Sequence, residues 1–206
     1  MKNSNIETRA RRHEVRVASS GDGNTLTGYI ALFNSPSDDM FGYTEMIAPG
    51  AFNRSLSDGS DIVCLINHDD NAPAGRLSAK TLRLQVDDTG LQFEVDLPAT
   101  TRANDLKVSI ERKDVAGCSF GFICRDDQWI SNEDGSVLRI IKDVDLIEVS
   151  VGVTFPAYSD TSSQLRSLPE TIPVEIRSRI ERGPEPAQPD TWAADTELRL
   201  RIAETL

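Results

Sequence analysis

Histidine and cysteine are scarce in this 206-residue chain: only His13, His68, Cys64, Cys118 and Cys124 occur, and no CxxC pair is present. So few soft ligands at such spacing predict no zinc site, and no other metal or cofactor is expected. The three cysteines lie in apolar runs, which suits small buried side chains better than a disulfide framework. No stretch approaches the roughly 20 apolar residues of a membrane helix. The opening MKNSNIETRARRHEV carries charge without an apolar core, so neither a secretory signal nor an anchor is expected, and no membrane partner. Basic residues are also too few for a nucleic-acid binder. The net charge is −11, and the Arg9, Arg11, Arg12 cluster does not supply the basic face that phosphate recognition needs.

What is present fits one domain with a real core: 38% hydrophobic and 27% charged residues. From Glu14 to about Tyr158 short β segments alternate with turn signals. Strands are predicted at Val15–Ala18, Thr25–Phe33, Gly42–Ile47, Ile62–Asn67, Thr81–Asp87, Leu91–Leu97, Gly117–Arg125, Val137–Ile141 and Val144–Val153. Turns fall at GDGN (21–24), SPSDD (35–39), DDTG (87–90) and NEDG (132–135). Two helices interrupt the β pattern: a short one after Pro49, and one over Thr101–Lys113 with Ala103, Leu106 and Ile110 on its apolar stripe. The organisation expected is a flexible arm over 1–13, a domain over 14–165, and a Pro- and charge-rich tail over 166–206 with a short terminal helix near Trp192–Ile202.

Three segments carry residues suited to acyl transfer, which needs a nucleophile, a base within hydrogen-bond reach and a group that orients the base. In LINHDDNAPAGRL (65–77), His68 follows an apolar strand and so sits at a strand end; a hydrogen bond to Asp69 or Asp70 is its structural alternative. In AGCSFGFIC (116–124), period two puts Cys118, Phe120, Phe122 and Cys124 on one face and Gly117, Ser119 and Gly121 on the other. Glycines flanking Ser119 permit close approach of a substrate backbone, or equally of another packed element. In DVDLIEVSVGVTFPAYSDT (143–161), alternation groups Ile147, Val149 and Val151 against Leu146, Glu148, Ser150 and Gly152. A carboxylate in such a strand needs a partner, either an imidazolium or an arginine such as Arg76 or Arg125. Ser150 is a second candidate nucleophile.

Read in order, GYIALFNSPS, EMIAPGAFNRSL, NHD followed by GRL, GCSFGF and LIEVSVGVTFPAY resemble the prohead maturation proteases of tailed bacteriophages over roughly Gly28 to Thr161. The resemblance implies a mainly β fold with a few helices, a β-barrel surrounded by helices similar to that of the herpesvirus capsid assembly protease. It also implies a serine endopeptidase acting in assembling proheads in the host cytoplasm. The implied substrates are the scaffolding part of the major capsid protein or a separate scaffold protein, and in many members the protease itself; a homo-oligomer is left open. It carries the family's histidine to His68 and its serine to Ser119. The herpesvirus enzymes use a second histidine as third member, but none follows His68 here, so Glu148 takes that place. Gly152 departs from the larger aliphatic residue expected there. Gly75, Arg76 and the glycines around Ser119 are the candidates for oxyanion donors. A rival reading keeps the fold without catalysis, as a capsid-assembly or scaffold module that binds shell protein through its tail.

Overall fold

The computed structural model describes residues 6–12, 15–18, 24–40, 42–115, 117–153, 169 and 171–182. Two compact units divide the chain, one through Ile172 and one from Pro173.

The first unit is mainly β. Its strands are β1 (Glu7–Arg12), β2 (Arg16–Val17), β3 (Thr25–Leu32), β4 (Thr44–Ile47), β5 (Val63–Ile66), β6 (Asp69–Arg76), β7 (Leu82–Val86), β8 (Gly90–Asp96), β9 (Gly117–Ser131) and β10 (Val137–Val153), with helices α1 (Asn53–Ser57) and α2 (Thr101–Glu111). One sheet runs β1-β9-β10-β5-β6, with β4 also pairing with β10; the other runs β2-β3-β8-β7. Among the described strands neither sheet closes into a barrel. The core draws on both sheets and on α1. Leu26, Ile30, Leu91, Phe93 and Val95 come from one sheet, Phe120, Phe122, Val144 and Val149 from the other. Phe52 meets Phe120 edge-on at 5.5 Å. Helix α2 buries Ala103, Leu106 and Ile110, the stripe its spacing predicted, and Thr100 caps its start by accepting the Ala103 N–H.

The β9–β10 hairpin is the longest pairing, and β10 serves as an axis. On its other edge it holds β4 at Leu138–Ile141 and β5 at Glu148–Val151, both parallel. Between those partners, helix α1 replaces a strand. Ser55 Oγ donates to the Val144 carbonyl at 2.7 Å and accepts the Leu146 N–H at 2.8 Å, while Ala51 accepts the Val144 N–H. These bonds satisfy backbone groups that no strand reaches.

Three expectations differ from what is observed. The arm expected over 1–13 contains β1, which pairs antiparallel with β9 from Glu7↔Phe122 to Arg12↔Gly117. Its inward residues are charged, so hydrophobic alternation does not reveal it. Segment 69–76, absent from the predicted strands, is the edge strand β6; Pro73 is tolerated because an edge strand has one side free of the ladder. The tail reading of 166–206 gives way over Val174–Arg182 to helix α3, which follows Pro173 and carries Glu175 in its first turn. Ile172, Ile176 and Ile180 stand four apart in the sequence, a helical signal overshadowed by the surrounding Pro and Ser. His13 and the expected terminal helix lie outside the described residues.

The charges of β1 enter a buried cluster. Arg139, fully buried, bonds Glu7, Glu45 and Asp127, and Arg9 bonds Glu7 and Glu45. Arg9 also lies over the Phe122 ring and Arg139 over Trp129. Burial alone would raise the Glu45 carboxyl, but the two guanidinium groups outweigh it and hold it below its ordinary value. Removing the Arg139 guanidinium leaves Asp127 without an arginine and Glu7 and Glu45 with Arg9 alone, so Arg139→Met is expected to cost about 3–5 kcal/mol in denaturant unfolding. The depressed Glu45 stabilises the fold above its unfolded value of 4.5 and loses that contribution as pH falls through its folded value. Glu45→Gln should therefore lower stability at neutral pH and flatten the loss in acid.

Candidate active site

His68 occupies the tight turn between β5 and β6, where Ile66 pairs with Asp69 and only Asn67 and His68 lie between. Both have left-handed backbone, with φ of 50° and 58°. Two positive φ values are what a two-residue hairpin of this twist demands, and glycine is the usual second residue. A histidine there carries strain of about 1–2 kcal/mol. The turn is held to β10 by the Asn67 N–H to the Val151 carbonyl, 3.0 Å, and by the His68 N–H to Ser150 Oγ, 3.2 Å. Arg102 of α2 reaches Asp69 on the turn's far side.

Glu148 meets the imidazole. Its Oε1 lies 2.8 Å from His68 Nδ1, and its Oε2 accepts the Ser150 hydroxyl at 2.8 Å. Ser150 Oγ also stands 3.2 Å from the same Nδ1. Among the described residues Nε2 makes no hydrogen bond. The arginines that could have claimed Glu148 are taken elsewhere: Arg76 pairs with Asp61, and Arg125 with Asp145.

The side of β10 on which each residue falls was expected from strict alternation, and a β-bulge corrects it. Leu146 pairs with Phe122 and Glu148 with Gly121, leaving Ile147 without an opposite residue. Leu146 therefore joins Val149 and Val151 in the core, whereas Ile147, expected with them, is 39% exposed. Beyond the bulge, Glu148 and Ser150 share a face, as expected. Gly121 makes room for the carboxylate, since a Cβ there would come within 3.0 Å of Glu148 Oε1. Gly152 has φ of 74°, and a Cβ on it would meet Leu106 Cδ1 at 2.4 Å; the aliphatic residue expected at this place would not fit this backbone.

Ser119 is the residue of β9 directly opposite Ser150, which puts both hydroxyls on one face. It is fully buried, and its Oγ donates to the Arg9 carbonyl of β1 at 2.9 Å. No hydrogen bond joins Ser119 to His68. The structure thus brings His68, Glu148 and Ser150 into direct contact and sets Ser119 one strand further on. Gly75, a candidate oxyanion donor, packs against β8 and the turn before β7; a Cβ there would meet Val95 Cγ2 at 2.6 Å and the Thr81 carbonyl at 2.9 Å. Burial pushes the Cys118 thiol up to about 12 and raises Cys64 as well, so both stay protonated and poorly nucleophilic.

Ser55 is a support that sequence reasoning passed over, because a small polar residue in a short helix gives no sign that it bonds two backbone groups, 89 and 91 residues away, beside a bulge. Ser55→Ala should leave the Val144 carbonyl and Leu146 N–H unpaired, costing about 1–3 kcal/mol in unfolding and displacing the Glu148 carboxylate in a crystal structure of the variant.

Searches of curated proteins and of solved structures return no significant match. A family model described as caudovirus prohead serine protease matches residues 8–172, from β1 through the end of the first unit. That span exceeds half the chain and contains every residue of the site just described, so the chain belongs to the caudovirus prohead serine protease family.

Proposed function

We propose that the chain is a serine endopeptidase that cleaves scaffold protein, or the scaffolding segment of the major capsid protein, during prohead maturation, with Ser119 as nucleophile, His68 as base and Glu148 as the group that orients it. Family membership supports the capsid-maturation role. The observation that carries the assignment is the 2.8 Å contact of Glu148 Oε1 with His68 Nδ1 on the sheet face that bears Ser119.

A carboxylate on Nδ1 fixes the tautomer with the proton on that nitrogen and leaves Nε2 to accept one. Ser119 Oγ attacks the substrate carbonyl carbon while Nε2 takes the hydroxyl proton, and Glu148 stabilises the resulting imidazolium. The imidazolium then protonates the departing amine as the C–N bond breaks. Water repeats the sequence on the acyl-enzyme and restores the serine.

A second reading has a specific observation behind it: Ser150 is the hydroxyl nearest the imidazole. Against it, the nitrogen it faces is the one Glu148 already holds, and its own proton points to that carboxylate. Those bonds suit a residue that braces the histidine turn and the carboxylate better than a nucleophile.

Co-expression with the cognate capsid and scaffold proteins separates these readings by intact mass. Ser119→Ala, checked to be folded, should abolish trimming, and Ser150→Ala should retain it at a rate lowered by about 10- to 100-fold, the equivalent of one hydrogen bond to a charged group. Trimming by Ser119→Ala and not by Ser150→Ala would reverse the assignment. Trimming by neither variant nor wild type would favour a non-catalytic assembly module.

A further inference from the structure

The proposed nucleophile is sealed. Ser119 has no exposed surface, and its hydroxyl is spent on the Arg9 carbonyl, a peptide carbonyl of the chain itself presented by an extended strand. Among the described strands, β1 is the outermost of its sheet and pairs with β9 alone. A substrate reaching Ser119 needs an extended backbone with a carbonyl beside Oγ, and β1 holds that place. We propose that β1 is a displaceable inhibitory strand, and that an extended peptide of the substrate protein takes its place as an antiparallel strand on β9. This rests on the assignment of Ser119 above.

Two features make the exchange feasible. An edge strand can leave by breaking one ladder only, and the edge it uncovers is a template for another extended chain. The buried charges also remain balanced. With β1 docked, Glu7, Glu45 and Asp127 face Arg9 and Arg139; without it, Glu45 and Asp127 face Arg139, and the excess is one acid in both states. Strand β1 brings its own acid and base, so Arg139 keeps the Glu45 and Asp127 bonds when the strand departs. Ala10, directly opposite Ser119, and Thr8, opposite Gly121, are partly or fully exposed, so the site-facing residues of β1 form no tight plug. Departure of β1 removes the acceptor that holds Ser119 Oγ and frees the hydroxyl to turn toward the imidazole.

Register supplies the test. Arg11 stands directly opposite the native Cys118, and opposed residues in an antiparallel pair are close enough for a disulfide. In the full-length Arg11→Cys chain, oxidised during refolding so that Cys118 is accessible, the 11–118 bond fixes β1 on β9. The oxidised protein should cleave the scaffold substrate at least tenfold more slowly than the same protein after reduction, with wild type unaffected by the same treatment. Equal rates in the two redox states would overturn the inhibitory role. Hydrogen exchange supplies a readout independent of catalysis. Amides of residues 7–12 in the wild type should exchange well before those of the β10 segment 144–151, and exchange of both only on global unfolding would overturn displacement even in a chain that cleaves nothing. Full cleavage by folded Ser119→Ala would instead remove the assignment on which the inference rests, and with it the inhibitory role, whatever the exchange data show.

Discussion

The antiparallel pairing of β9 with β10 is the constraint from which the site follows. Its register sets Ser119 opposite Ser150 and Gly121 opposite Glu148, and its far edge carries β5, whose end delivers His68 over the same face. A one-residue slip in such a pair would send every one of these side chains to the other face. The register is held by aromatic and aliphatic residues on the core side, Phe120, Phe122, Val149 and Val151, which cannot be turned outward without losing the burial that stabilises the sheet. At Ile147 one extra residue in β10 lets both requirements hold: Leu146 stays in the core while Glu148 faces the histidine. Helix α1 makes that irregularity tolerable, because Ser55 and Ala51 satisfy the backbone where neither β4 nor β5 can.

Strain and burial are spent at the same place. A histidine in left-handed backbone and a carboxylate that is largely out of solvent each cost stability when taken singly. Together they compensate in part, since the turn aims the imidazole at the carboxylate and Ser150 ties both to β10. At the opposite end of the sheet the Arg139 cluster is a separate polar interior that ties β4, β9 and β10 to one another and receives Glu7 of β1. The two polar centres are linked through β1, whose Glu7 and Arg9 side chains belong to the cluster and whose Arg9 carbonyl belongs to Ser119. The family match is to a serine protease, and β1 is the element that touches both polar centres.

Much of the fold was legible because alternation and turn chemistry are local. Strands β3, β5, β7 and β8 and helix α2 fall within a residue or two of their predicted limits. A carboxylate inside an apolar strand called for a partner but left histidine and arginine both open, and the 2.8 Å contact with His68 selects the histidine. Non-local features were not legible. The bulge at Ile147 looks like uninterrupted alternation, and nothing in LIEVSV marks the residue that loses its partner. Strand β1 was hidden because its inward side chains are Glu7 and Arg9, whose partners Glu45 and Arg139 lie far along the chain. The Ser119 hydrogen bond to Arg9 was invisible for the same reason, as it depends on a strand that hydrophobic pattern alone does not predict.

The central claim is that Ser119 is the reacting hydroxyl and that the His68–Glu148 pair activates it. Treating the active protease with a serine-directed fluorophosphonate and locating the adduct by peptide mass spectrometry tests this most directly. The account predicts modification at Ser119, lost in His68→Ala. An adduct at Ser150, or labelling of Ser119 that persists without His68, would contradict it.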